Sequence, residues 1–269
     1  MIKLIATDLD GTFLSSTKSK PSDFREVFDE IKKRNILFAV ASGRDYNGAA
    51  MYFDGYKDDI IFVCDNGANI YQGGKLLSRH TMNRQIYHAL IDTLGEMGIT
   101  DILVCGVKGS YIQAASSPEY LEKMVNHYTR QTTVEDLKAV DDDIFKVSVT
   151  DLTGTVLRKE VYEPLMTKPV RRELTVHMSG TRFLDIMDKT ADKGVGIREL
   201  QQKYGIAKGE TMAFGDYYND EPLLDSAEYA FLMDGAPEDL AAKYKYRRGS
   251  CDRDGVTKRI REWAFDKIK

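Results

Sequence analysis

Cysteine is scarce: Cys64, Cys105 and Cys251 are far apart, odd in number and never paired as C-x-x-C. Neither a disulfide framework nor a zinc cluster is therefore encoded, and a reducing cytoplasm is the expected compartment. Proline is scarce too, 6 in 269 residues, beside 42% hydrophobic and 30% charged residues, which excludes a Pro-rich or mainly disordered chain. Long apolar runs are missing. Ile36 to Ala41 and Ile60 to Cys64 are among the longest, far below the roughly 18 residues of a spanning helix. No excess of one charge exists either: Lys+Arg 38 against Asp+Glu 42 gives a net charge of -4. A polyanion finds no global positive field, so neither nucleic acid nor membrane is an expected partner. Met1-Ile2-Lys3 leads into an apolar strand without a cleavable signal, and the expectation is a protein that stays where it is made. The length suits one large domain or two modest ones, as a monomer or weak homo-oligomer.

Short apolar runs set the organisation. Ile2 to Thr7 predicts a buried parallel strand, ended by the polar D-L-D-G-T. A helical pattern opened by Pro21 and Ser22, with Phe24, Val27, Phe28 and Ile31 on one face, leads to a second strand at Ile36 to Ala41, which makes a βαβ unit. A helix over Asp45 to Asp54, a strand over Ile60 to Cys64 and a hairpin turn at Tyr71 to Lys75 follow. Between Met82 and Asp188 the strands alternate more, as in Phe145 to Val149 and Leu174 to Met178, predicting a sheet with one wetted face. Helices are predicted there over Arg84 to Met97, Pro118 to Thr129 and Thr155 to Leu165.

After Lys193 the first texture returns, ending in a helix from Val256 to Ile268. The predicted fold class is α/β: a doubly wound, Rossmann-like parallel sheet over residues 1–81 plus 189–269, with an α+β domain inserted over 82–188. No solenoid-period repeat or low-complexity tract occurs, and the basic stretch from Lys243 to Arg261 reads as a solvated strand and helix face.

Chemistry-bearing residues gather where strands end. Asp8 and Asp10, at i and i+2 of an extended segment before Gly11, flank one small volume, and two such carboxylates call for a cation between them. Hard oxygen ligands beside a phosphate favour Mg²⁺; a capped Asp-Gly turn is the plainer account of the motif. Ser42-Gly43-Arg44 ends the second strand before a helix, where a phosphate fits on backbone N–H groups and the Ser42 hydroxyl, although a simple helix cap would also explain it. Lys193 starts a helix, where a basic residue opposes the dipole, so an anion is expected beside it unless it is an ordinary surface lysine. Asp216 stands at another strand end as a third carboxylate; Asn219 and Asp220 precede a proline-opened helix and could be plain caps.

Taken together these motifs resemble those of the haloacid dehalogenase (HAD) superfamily, and the chain is similar to its Cof-type (subfamily IIB) phosphatases with a large α/β cap over nearly its whole length. The likeness rests on D-L-D-G-T at Asp8 to Thr12, S-G-R at Ser42 to Arg44, D-N-G-A at Asp65 to Ala68, D-K-G at Asp192 to Gly194, G-D-x-x-N-D at Gly215 to Asp220 and D-G-V at Asp254 to Val256. Ser42 stands where threonine is commoner, and Met233 to Ala236 where a glycine-asparagine pair is. The resemblance implies a Mg²⁺-dependent phosphomonoesterase acting on small phosphorylated metabolites, with sugar phosphates the leading class.

It implies that Asp8 attacks phosphorus to form an aspartyl-phosphate, and that Asp10 protonates the leaving alcohol and later deprotonates water. Asp8, the Asp10 carbonyl and Asp216 would hold the metal. Ser42, Gly43, Lys193 and Asn219 would meet the phosphate, with Asp220 supporting from behind, and the insert would close over the leaving group and select it. A sugar phosphomutase and a slow phospholigand-binding protein are the alternatives; the second does not need both Asp8 and Asp10. A flavodoxin-like flavin binder would lack its G-x-G-x-x-G after the first strand.

Overall fold

The computed structural model describes residues 1–125, 131–179, 181–247 and 249–267. Among these, fourteen strands form two sheets: β1 (Leu4–Thr7), β2 (Leu37–Ala41), β3 (Ile61–Cys64), β4 (Asn69–Gln72), β5 (Lys75–Arg79), β6 (Ile102–Gly106), β7 (Ser110–Gln113), β8 (Gln131–Val134), β9 (Ile144–Thr150), β10 (Leu174–Ser179), β11 (Phe183–Asp188), β12 (Thr211–Gly215), β13 (Tyr229–Leu232) and β14 (Tyr246–Arg247). By their contacts the residues fall into two compact units, Met1–Arg79 with Asp192–Lys269, and His80–Ala191. No helix among the described residues is long and apolar enough to cross a membrane.

The first unit holds an eight-stranded sheet ordered β14-β13-β12-β1-β2-β3-β4-β5, parallel from β14 to β3 and finished by two antiparallel strands. The central strands β1 and β12 are buried at every step and almost wholly apolar, because both faces are covered. Ile5, Phe38, Val40, Phe62 and Phe214 enter a phenylalanine-rich layer on one side, joined by Phe24, Val27, Phe28 and Ile31 of the helix Phe24–Lys33. Leu4, Ala6, Ala39, Ala41, Val63 and Ala213 pack on the other, against Ile197 and Leu200 of the helix Lys193–Tyr204. Strand order reverses at β1, which lies between β12 and β2, so the carboxyl ends of β12, β1, β2 and β3 border one crevice. The hairpin turn comes at Gly73 and Gly74, both left-handed.

The inserted unit holds a six-stranded sheet ordered β10-β11-β9-β6-β7-β8, antiparallel except between β7 and β8. Its apolar face, with Val104, Val147, Val149, Leu184 and Ile186, packs with Leu90 and Leu94 of the helix Arg84–Glu96. The wetted second face expected from the sequence is corrected for β9: Lys146, Ser148 and Thr150 alternate with its valines and are nevertheless buried, as is Asp185, paired with Ser148 across β11. In β10 Thr175 and His177 are half-buried beside the buried Leu174 and Val176, so there polarity and exposure alternate together.

Other departures are local. The helix expected over Asp45 to Asp54 is α-helical only over Tyr46–Ala50 and tightens into a 3₁₀ turn at Met51–Phe53. That expected over Thr155 to Leu165 runs in wider turns over Leu157–Tyr162 before the α-helix Glu163–Met166, because Pro164 has no N–H to continue the ladder. The helix Pro118–Val125 is described to Val125, and the rest of its expected span, to Thr129, lies outside the described residues, as does Ile268 at the end of the closing helix.

Candidate active site

Four of the expected residues meet directly. Asp8 follows β1, pinned by its N–H to the Phe214 carbonyl at 2.9 Å. Lys193 is the first residue of its helix, capped by the Asp192 carboxylate, which accepts from the Val195 N–H at 2.6 Å. Its ammonium, 1% exposed, donates to Asp8 Oδ1 and Asp220 Oδ1, both at 2.6 Å. The anion demanded by a lysine at a helix start is thus a pair of carboxylates. Asp220 Oδ2 accepts the backbone N–H groups of Asp216 and Tyr217 at 2.9 and 3.1 Å, so this carboxylate holds the 216–220 loop in shape. Asp216 accepts from the Thr12 hydroxyl at 2.7 Å, and Gly11, at φ +87°, lets it come close: a Cβ there would lie 2.6 Å from Asp216 Oδ2.

Burial, then the charge of Asp220, pushes Asp8 well above the usual carboxylate range against the pull of Lys193. The same two causes push Asp216 up to about 6 against the Thr12 hydrogen bond. Burial would lower Lys193, but the charges of Asp220 and Asp8 outweigh it and raise it.

Asp10, two residues on, has the opposite surroundings. Its carboxylate turns to Arg44, with Nε to Oδ2 at 2.6 Å and Nη2 to Oδ1 at 2.8 Å, and to Lys18, with Nζ to Oδ1 at 2.6 Å. Burial would raise its pKa, but the hydrogen bonds from Arg44 and Lys18 win and lower it.

Ser42, Gly43 and Asn219 are linked through Asn66. The Asn66 N–H donates to the Ser42 carbonyl at 2.9 Å, its side chain lies where a Cβ on Gly43 would be 3.2 Å away, and its Oδ1 accepts from Asn219 Nδ2 at 3.2 Å. Asp65, Asn66 and Gly67 are left-handed in succession (φ 50°, 52° and 101°), a strained run of the kind that gathers at working sites. The Ser42 hydroxyl accepts from the Arg44 N–H at 3.2 Å, while Asp45 caps the following helix. The sequence motifs contain Thr12, Arg44 and Asn66 without showing their tasks, and Lys18 lies in none of them. Arg44 and Asn66 sat inside recognised strings, whereas nothing in the loop around Lys18 pointed to Asp10.

Oxygen donors suited to a hard divalent cation are present. Asp8, Asp216 and Asp220 each offer a carboxylate oxygen, all within 4.8 Å of one another. One ammonium meets three carboxyl groups here, an excess of acid over cation that a divalent ion would match. Asp220 accepts three hydrogen bonds through its two oxygens, whereas Asp8 accepts one from Lys193 and Asp216 one from Thr12, so Asp8 and Asp216 have more capacity left for a cation. The Asp10 carboxylate is not in this group; only its backbone carbonyl remains a candidate ligand.

The chain is 30% identical over 258 residues to the 5-amino-6-(5-phospho-D-ribitylamino)uracil phosphatase YbjI of Escherichia coli (strain K12), covering 95% of this chain and 93% of that one. In structure it is similar to SMU.1108c of Streptococcus mutans UA159, with a TM-score of 0.86 at 25% identity over 98% of this chain and 99% of that one. It also shares the fold of the HAD subclass IIB sugar phosphatase BT4131, with a TM-score of 0.77 at 23% identity over 97% and 99%. The family model described as haloacid dehalogenase-like hydrolase matches residues 5–260, so the chain belongs to that family and is one of the HAD-superfamily phosphatases.

Proposed function

We propose that the protein is a Mg²⁺-dependent phosphomonoesterase that cleaves primary phosphate esters of sugars or sugar alcohols. The observation that carries this reading is the set Asp8, Lys193, Asp216 and Asp220, buried but for the half-buried Asp216, which puts three carboxyl groups against one ammonium at the strand ends. Asp8, Asp216 and the Asp10 carbonyl would hold the ion, which would neutralise charge on the phosphoryl oxygens. Asp8 attacks phosphorus and the ester oxygen leaves with a proton from Asp10; water then attacks the aspartyl-phosphate, giving its proton to Asp10 and releasing phosphate and free Asp8. Lys193 steadies Asp8 and the transferring group, and Ser42, Gly43 and Asn219 bind the other phosphate oxygens.

The name of the E. coli relative gives a phosphorylated ribityl chain, itself a sugar alcohol phosphate, as a specific candidate. Phosphate release should be screened over hexose phosphates, pentitol phosphates and the phosphoribitylaminouracil, with Mg²⁺ and with EDTA. Loss of turnover in EDTA and recovery with excess Mg²⁺ is the expected result. Full activity in the chelator removes the metal, and turnover confined to esters without hydroxyls removes the substrate class.

A further inference from the structure

Arg44 and Lys18 come from separate loops and converge on one carboxylate. A carboxylate offers about four lone-pair directions, and on Asp10 three of them are taken: Oδ1 accepts from Arg44 Nη2 and Lys18 Nζ, and Oδ2 accepts from Arg44 Nε. A planar guanidinium bonded to both oxygens fixes the plane of the carboxylate as well as its place, which a single ammonium does not.

Arg44 is itself held. Its N–H donates to the Ser42 hydroxyl, its carbonyl accepts the Asp65 N–H at 2.8 Å, and its guanidinium lies over the Tyr52 ring, 5.2 Å from the centroid. Lys18 is left-handed at φ 61°, rare for a residue with a side chain. Its loop is closed by Ser15 N–H to Ser19 carbonyl and Lys18 N–H to Ser15 carbonyl bonds at 3.0 and 2.9 Å. Neither cation is needed by the apolar layers beneath, and the side chains are 49% (Lys18) and 32% (Arg44) exposed.

We propose that Arg44, assisted by Lys18, is a positioning residue for the second half of the reaction, fixing Asp10 so that the open lone pair of Oδ2 takes the proton of the water that hydrolyses the aspartyl-phosphate. In that step the water oxygen bonds to phosphorus, the bond from phosphorus to the Asp8 oxygen breaks, Asp8 leaves as a carboxylate, and the water proton moves to Asp10. The inference rests on the covalent reading above, with Asp10 as the group that receives the proton.

4-Nitrophenyl phosphate separates the two halves, since its leaving group departs without a proton: kcat/KM then reports formation of the aspartyl-phosphate and kcat its breakdown. With Arg44→Ala, kcat should fall by about tenfold to a hundredfold, the scale of a misplaced group. KM should fall with it, and acid quenching after reaction with ³²P-labelled substrate should trap more labelled protein than in the wild type. Lys18→Met should move the same quantities in the same direction by less. In an Asp10→Asn background, Arg44→Ala should cost little more.

The proposal is overturned if kcat/KM falls as far as kcat with no labelled protein, which is the mark of a merely structural loss. It is also overturned if Arg44→Ala costs as much with Asp10→Asn present as without it. Absence of labelled protein in Asp10→Asn alone would fell the covalent reading and this inference together, whereas labelled protein there with none in Arg44→Ala fells the inference only.

Discussion

Asp8 and Asp10 are two residues apart on one strand end, yet their surroundings are opposites. Asp8 is buried, shares one ammonium with Asp220 and stands among other acids, so its carboxyl is pushed up. Asp10 is partly open, gripped by a guanidinium and an ammonium, and is pushed down. The lesson is that i, i+2 spacing presents two carboxylates, while the loops that meet them decide what each one does.

The comparison breaks most readily at Asp8. Asp8→Asn should lower turnover of 4-nitrophenyl phosphate about 10⁴-fold or more and abolish ³²P labelling of the protein, because the attacking oxygen is gone. Asp10→Asn should cost about 10² to 10⁴ in kcat/KM for a hexose phosphate, the range of a lost proton donor, and far less for the aryl ester; equal losses would erase the division of labour. On stability the two sides should part again. Lys193→Met leaves two buried carboxylates without their cation and should cost about 3–5 kcal/mol, read as a fall in the denaturant midpoint at constant slope. Lys18→Met removes a half-exposed pair and should cost no more than about 1 kcal/mol.

The smallest expected effect is in pH. Asp216, pushed up to about 6 in the folded chain, keeps a proton there at pH values where the unfolded chain has lost it. Its contribution therefore favours folding at low pH and is lost as pH rises through about 6. In chelator the thermal midpoint should be lower at about pH 7.5 than at about pH 5, after allowance for other groups by comparison with Asp216→Asn. Mg²⁺ should oppose that fall, and its affinity, measured by calorimetry, should weaken below about pH 6 with proton release on binding.

Most of the first unit was legible because its strands are continuous apolar runs and its chemistry sits where those runs stop. Asp8 and Asp216 stand out by that rule, as polar residues at the ends of buried strands, whereas Lys193 at a helix start needs the other motifs beside it to be told from a surface lysine. Arg44 escaped because a bidentate grip on a residue 34 positions away leaves no local pattern. Asn66 escaped because its left-handed backbone is ordinarily glycine's. In the inserted unit the strands β6, β7, β8 and β11 were missed. β8 is a polar edge strand with Thr132 and Thr133 exposed, and the polar residues of β9 suggest an exposed face although they are buried. Periodicity reports which face is apolar, and it is silent on whether the other face is covered.

The left-handed loop has one more consequence. Gly67 can adopt φ +101° with the Asp192 carbonyl against it, so close that a Cβ would be 2.0 Å away, while Asn69 on the same loop accepts from Arg79 Nε at 2.5 Å and itself donates to Asp65 at 2.9 Å. Arg79 is where the chain leaves the first unit and Asp192 is where it comes back. Departure and return are thus moored to the same few residues. The insertion thus has a single socket in the first unit, into which a segment of different length or sequence could be plugged without redrawing the eight-stranded sheet.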